Sequence, residues 1–445
     1  MNKRNYGLFT AVTMITGIVI GSGIFFKSDD ILKYTNGNVL LGIIVFIAAA
    51  IAIVFGCLAI SQLATRTDKP GGLVAYAEEF VGIRSSCAFG WFQTFLYLPT
   101  LAAVVSWVTG IYISQLFGIP ATLENWTIIG TINMTLLFIL NALSAKLGGV
   151  VQNASMIIKL IPLLLIAFAG LAFGNPGNIF ANDIEAFPAS AGNFTWLAAF
   201  APIAFSFDGW IVSTSISNEI KNSKRNLPLA LTISPFIILI AYIAYFVGMS
   251  FLIGPDSIME QEDGSVFTAA NKLFGGIGAK IILTFVVISV LGTANGVILG
   301  YIRMPFSLAV RKMIPGSNQL AKEEKKLNGM PLNSAIFAYV MSLAWMAIHY
   351  FTQKYGMRGD VSEISIGISY FNYIILYFAV MRLARKGEIK SKYKGYVIPV
   401  LATVGSFVII SGSITHPLFF YYAAICFGVM LAGSLFYQKN EKIII

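Results

Sequence analysis

Gly17-Ile18-Val19-Ile20-Gly21-Ser22-Gly23-Ile24-Phe25 places three glycines within seven residues of an apolar run that begins near Leu8. In a bilayer-crossing helix, glycine has two uses. It lets helices touch closely through a small face, or it marks an unwound stretch whose bare main chain can be approached. The run alone leaves both open, but a second interruption lies downstream. Ala204-Phe205-Ser206-Phe207-Asp208-Gly209-Trp210 sets a hydroxyl, a carboxylate and a glycine in the middle of apolar sequence. An Asp at the bilayer midplane costs about 3 kcal/mol on an insertion scale, so it faces protein or a water-filled cavity. Irregular backbone at that depth is tolerated only in the same surroundings.

The rest of the chain supplies the membrane context. Of its 445 residues 57% are hydrophobic and 11% charged, against about 25% charged in a soluble domain. A helix needs roughly 20 apolar residues to cross the hydrocarbon. Runs of that kind predict an all-α polytopic protein of twelve transmembrane helices at about 8–26, 39–64, 85–116, 126–143, 149–173, 194–217, 229–254, 277–310, 332–351, 361–381, 396–414 and 417–437. The first run follows Lys3 and Arg4 but is longer than a signal core and lacks a small-residue cleavage site, so it reads as a retained helix.

The net charge of +10 does not point to nucleic acid, because the cations gather in alternate loops. Lys221, Lys224, Arg225, Lys322, Lys325, Lys326, Arg385, Lys390 and Lys394 all fall on the side of the N-terminus, a positive-inside bias that puts both termini in the cytoplasm. The expected location is a bacterial inner membrane. Membrane lipids are expected partners, and the basic tract 382–394 could attract anionic headgroups. Cys57, Cys87 and Cys426 are scattered through apolar sequence and read as reduced, buried residues. His349 and His416 stand far apart without metal-like neighbours, so neither a metal nor a cofactor is expected.

The two interruptions lie five spans apart. Five is odd, so a second five-span unit enters the membrane from the opposite side, and paired Gly-interrupted helices in two inverted halves point to a transporter site at the midplane. The expected organisation is a first repeat at 1–175, an inverted repeat at 190–385 and two added helices at 396–437. Freed amides near Ser22, Gly23 and Ile24 suit a carboxylate. Freed carbonyls near Val19 and Phe205 suit an ammonium. A free amino acid carries both charges a short distance apart. The candidate substrate-binding residues are Val19, Ile20, Gly21, Ser22, Gly23, Ile24, Phe205, Ser206, Phe207, Asp208 and Asn295, with Phe205 and Phe207 narrowing the site toward small neutral L-amino acids.

Lys159 is the only lysine in the apolar stretch Met156-Ile157-Ile158-Lys159-Leu160-Ile161-Pro162. It lies roughly 15 Å from the near membrane face at 1.5 Å per residue, beyond the reach of a stem of about 6 Å. Its ammonium therefore needs internal acceptors: the carbonyls of the first span, or Asp208. In the eighth span Asn295 can join a substrate to the lysine network or simply glue helices together. Arg303 reads as a closing salt bridge or a headgroup contact. Tyr242, in the seventh span, reads from periodicity alone as packing.

At these residues the chain resembles the bacterial L-amino acid transporter branch of the amino acid–polyamine–organocation superfamily, near its serine/threonine and alanine-serine-cysteine exchangers. The markers are Ile20-Gly21-Ser22-Gly23-Ile24-Phe25, Pro70-Gly71-Gly72, Lys159-Leu160-Ile161-Pro162, Phe207-Asp208-Gly209-Trp210 and Asn295-Gly296 followed by Arg303. The resemblance implies a twelve-helix fold with spans 1–5 and 6–10 as inverted repeats, and sodium-independent, roughly one-for-one exchange by alternating access. It implies that Lys159 takes the place of a sodium ion and that Tyr242 helps to close the path. Animal relatives use a cysteine in the loop between spans 3 and 4 to hold a glycoprotein subunit. The loop Phe117–Trp126 has none, so no disulfide-linked heavy subunit is expected.

Two alternatives stay on the same fold: a proton-coupled symporter, for which Asp208 and Glu219 could titrate, and an exchanger that also accepts cationic amino acids, because Asp208 could read a positive side chain. A channel or a membrane-embedded enzyme finds little support, since the spans contain no nucleophile–base or metal constellation.

Overall fold

The computed structural model describes residues 7–21, 23–67, 69, 72–143, 158–177, 179–213, 220–324, 330–357 and 359–441. The first apolar run forms two helices, α1 (Leu8–Val19) and α2 (Gly23–Tyr34), bent by 57° at the glycine motif. Among the described residues nine helices are long and apolar enough to cross a membrane, and ten if this bent pair is one span. The nine are α3 (Val39–Ala64), α5 (Ile83–Phe117), α6 (Leu123–Leu143), α11 (Ser223–Ile253), α13 (Ser265–Val310, which a span-length stretch enters from Pro255), α15 (Leu332–Lys354), α16 (Val361–Arg385), α17 (Tyr393–Ile414) and α18 (Phe419–Asn440). Shorter helices fill the chain between them: α4 (Leu73–Phe80), α7 (Leu160–Phe173), α8 (Ile179–Gly192), α9 (Thr195–Ser206), α10 (Trp210–Ser213), α12 (Pro255–Gln261) and α14 (Ser317–Leu320).

The two expected spans outside this count are 149–173 and 194–217. The first is seen as α7, with 144–157 outside the described residues. The second is broken: α9 stops at Ser206 and a turn at Phe207–Gly209 leads into α10. Gly209 adopts φ +96°, a left-handed conformation open to glycine. The stretch between α7 and α9 is helical where a loop would serve. Asp183 of α8 accepts from the Leu40 N–H at 2.9 Å, and the Asp183 carbonyl accepts from Asn38 Nδ2 at 2.8 Å. The carboxylate thereby caps the N-terminus of α3, where a helix favours negative charge.

Burial divides the spans into core and wall. The apolar stretch of α5 is 89% buried and that of α16 is 78%, whereas those of α6 and α18 are each 28% buried. In water, exposed residues such as Ile128, Leu136, Phe420 and Leu431 would be a liability; in lipid tails they carry no penalty. The packing partners form a regular set. α3 packs on α11, α5 on α13, α2 on α9 and α1 on α10, while α7 packs on α11 and α16 on α3. Helix α13 is interrupted at Gly275 (φ 68°, ψ 179°), so its spanning part begins close to the expected position 277. All three cysteines are buried thiols.

Candidate functional site

The two breaks lie against each other. A Cβ at Gly23 would fall 2.5 Å from the Ser206 Cα, and one at Gly209 would meet Ile18 Cγ2 at 3.1 Å. Gly21 faces a different neighbour: its Cβ would lie 2.6 Å from Thr293 Oγ1 of α13. Neither Gly21 nor Gly23 has a positive φ. Close helix contact is therefore one use of these glycines, alongside the interruption they border. Ser22 lies outside the described residues, as do Pro70, Gly71 and Glu219.

The C-terminal carbonyls of α1 need donor partners, since no further turn supplies them. Lys159, 1% exposed at the start of α7, donates its ammonium to the Gly17 carbonyl. Ile20 closes the helix by donating its N–H to Thr16 O at 2.9 Å. Tyr242 of α11 donates its hydroxyl to the Ser206 carbonyl at 2.8 Å, with the Val19 carbonyl 3.4 Å away. One phenol thus spans the ends of both broken helices. The Phe207 ring stands edge-on to Tyr242 with centroids 5.2 Å apart.

On the far side of the break α2 begins. Its first amides, at Gly23, Ile24 and Phe25, have no carbonyl four residues earlier in the same helix. Ile24 is fully buried, and its carbonyl accepts from Ser28 Oγ at 2.6 Å. Above it, Phe205 and Phe26 meet edge to face at 6.0 Å. The Lys27 ammonium lies 4.4 Å from the Phe26 centroid and 5.4 Å from that of Phe205. It forms salt bridges to Glu363 of α16 at 2.6 Å, to Asp360, the N-cap of that helix, at 2.8 Å, and to Asp30 at 3.4 Å. Lys27, Asp360 and Glu363 are all buried, so an ionic cluster covers the α2 end of the crossing. At the other end Lys69 and Arg311 both pair with Glu78, at 2.9 and 3.1 Å, tying α4 to the end of α13.

Asp208 is half-buried and accepts from the Tyr97 hydroxyl at 2.6 Å. Asn295 is buried, and its Oδ1 accepts from Asn141 Nδ2 at 2.8 Å, linking α13 to α6. Ser206 turns its hydroxyl to the Pro202 carbonyl at 3.0 Å. Arg303 is exposed and donates to Leu299 O of its own helix at 2.6 Å; among the described residues Arg311 makes a salt bridge to Glu78 and Arg303 makes none, which leaves the headgroup contact of its two expected uses. Sequence reasoning missed Lys27, Tyr97 and Glu78. The signal available was a cation directly after the glycine motif and the Asp360-x-x-Glu363 spacing at the head of α16.

The amino acid permease family model matches residues 6–440, nearly the whole chain. The chain belongs to the amino acid permease family. This permease is 30% identical to the serine/threonine exchanger SteT of Bacillus subtilis over 93% of its own length and 91% of that relative. It is 27% identical to the human b(0,+)-type amino acid transporter 1 over 98% of its length and 87% of the relative. The human Asc-type amino acid transporter 1 matches at 28% identity over 70% of the permease and 60% of the relative. The permease is therefore a multi-pass membrane protein of the amino acid–polyamine–organocation superfamily whose work is amino acid transport rather than catalysis.

Proposed function

We propose that this permease is a sodium-independent exchanger of small neutral L-amino acids, working by alternating access in a bacterial inner membrane with both termini cytoplasmic. The observation that carries this reading is the division of labour at the first break. Lys159 and Tyr242 occupy the carbonyl end of α1, so a fixed ammonium stands where a bound cation would otherwise be required. The amide end of α2 remains to receive a carboxylate. The substrate ammonium then lies toward the carbonyls at the end of α9, and Phe205, Phe207 and the Asp208 segment limit the side chain.

The twelve-span, five-plus-five arrangement belongs to the same proposal. Exchanging spans 1–5 for 6–10 maps the observed packing onto itself: α3 with α11 and α5 with α13 are pairs of equivalents, the α2–α9 contact maps onto α10–α1, and α7–α11 maps onto α16–α3. An inverted repeat produces that set, and its two ends, at Lys27 and at Glu78, are the places where access would alternate. The kinship with a serine/threonine exchanger supports exchange over net uptake.

The test is counterflow in proteoliposomes for all twenty L-amino acids, with and without sodium, internal amino acid and a pH gradient. Fast exchange of alanine, serine, threonine or cysteine that needs internal amino acid and ignores sodium is the expected outcome. Uptake driven by a pH gradient into empty liposomes would instead establish proton symport.

A further inference from the structure

Asp208 is a half-buried carboxylate beside the crossing of the breaks, and one of its two oxygens is already engaged. The Tyr97 hydroxyl, itself 2% exposed, donates to Asp208 Oδ2 at 2.6 Å, a length that belongs to strong, charge-assisted bonds. Tyr97 reaches it from an unusual backbone. Residues Gln93–Tyr97 form one π-helical turn inside α5, and such turns displace the side chains that follow them and are frequent at functional sites. Side chains from two other spans brace that turn. Tyr301 of α13 donates its hydroxyl to the Thr94 carbonyl at 2.6 Å, and Trp345 of α15 donates its indole N–H to the Phe95 carbonyl at 2.8 Å. Three spans thus cooperate to aim one phenol at one carboxylate.

We propose that Tyr97 is a specificity-determining residue: by occupying Oδ2 of Asp208 it weakens that carboxylate's reading of a cationic substrate side chain. A carboxylate in apolar surroundings demands a donor. With Tyr97 present the protein already meets part of that demand, and an incoming ammonium or guanidinium must share Oδ2 with the phenol or settle for the remaining acceptor sites. With Tyr97 absent the cationic side chain becomes the best available donor, and specificity follows from which of the two states leaves a buried polar group unpaired. The inference rests on the exchange reading above and deepens it: charge selection lies in the Tyr97–Asp208 pair rather than in Asp208 alone.

The experiment measures lysine and alanine counterflow in proteoliposomes for the wild-type permease, Tyr97→Phe and the double variant Tyr97→Phe/Asp208→Asn. The lysine-to-alanine ratio should rise at least tenfold in Tyr97→Phe and fall back in the double variant. A ratio unchanged in Tyr97→Phe while alanine exchange persists would overturn the inference. Tyr301→Phe, which removes only the brace on the Thr94 carbonyl, should raise the ratio in the same direction. If Tyr97→Phe does not yield a monodisperse protein, Tyr301→Phe decides the matter, a raised ratio sustaining the inference and a wild-type ratio overturning it. The wild-type arm separately reads the exchange proposal: absence of alanine counterflow there sinks that reading whatever the variants do.

Discussion

The Tyr242 hydroxyl donates to the Ser206 carbonyl at 2.8 Å, joining α11 to the C-terminal end of α9. Its ring packs edge-on to Phe46 at 6.4 Å and to Phe207 at 5.2 Å, so Tyr242→Phe keeps the packing and removes only the bond. A buried carbonyl that loses its donor costs about 1–3 kcal/mol. The expected result is a modest fall in melting temperature with a larger proportional fall in exchange rate. Loss of stability without any change in exchange would reduce the phenol to a structural prop.

Lys159→Ala removes the cation that covers the Gly17 carbonyl. The variant is expected to fold and to lose most of its exchange, and added sodium need not restore it. Counterflow at equal reconstituted amounts is the measurement. Wild-type rates in the variant would show that the ammonium only neutralises a helix end.

The glycines of the first break separate by what their missing side chains would strike. At Gly23 the added Cβ meets backbone, the Ser206 Cα at 2.5 Å, whereas at Gly21 it meets the Thr293 side chain at 2.6 Å. Backbone cannot rotate away, so Gly23→Ala should cost about 1–3 kcal/mol as overpacking does, and Gly21→Ala less. Thr293→Ala should rescue Gly21→Ala and leave Gly23→Ala unimproved. A thermal-stability cycle over these variants checks the assignment. Substrate-induced stabilisation measured alongside tells whether the folded fraction still binds.

Within the ionic cluster the two partners are unequal. Lys27→Met strands Asp360 and Glu363 together without a buried cation, while Glu363→Gln leaves the 2.8 Å Lys27–Asp360 pair intact. Breaking a buried pair typically costs about 3–5 kcal/mol. Lys27→Met should therefore lower the melting temperature in detergent clearly more than Glu363→Gln. Equal losses would mean that Asp360 alone contributes little.

Much of this architecture is legible in the chain, and the illegible parts share a cause. Three glycines within seven residues mark the first break, and Asp208-Gly209 marks the second, because a membrane helix tolerates such residues only for a reason. Lys159 stands out because a lone cation at that depth has no route to water. Tyr242 does not stand out: an aromatic residue in an apolar span carries no local sign that its hydroxyl bridges two carbonyls from distant segments. Tyr97 is hidden more deeply, since its aim depends on a π turn held by Tyr301 and Trp345, more than 200 residues away in sequence. Arg303 is open to two readings, and its charge alone cannot say that the salt bridge to Glu78 falls to Arg311 while the headgroup contact stays open to Arg303. The glycines of the first break also do more contact work than their number alone suggests, a property set by what lies opposite them.

The burial of Cys57, Cys87 and Cys426, each 0% exposed, has a practical consequence. A thiol introduced on an exposed loop would meet a maleimide or a spin-label reagent with the native sulfurs shielded, and reactive thiols are the accessible ones. Pairs of reporters placed beyond the ends of α2 and α16 can then register the distance between those helices, with and without amino acid, in a protein whose native cysteines stay in place.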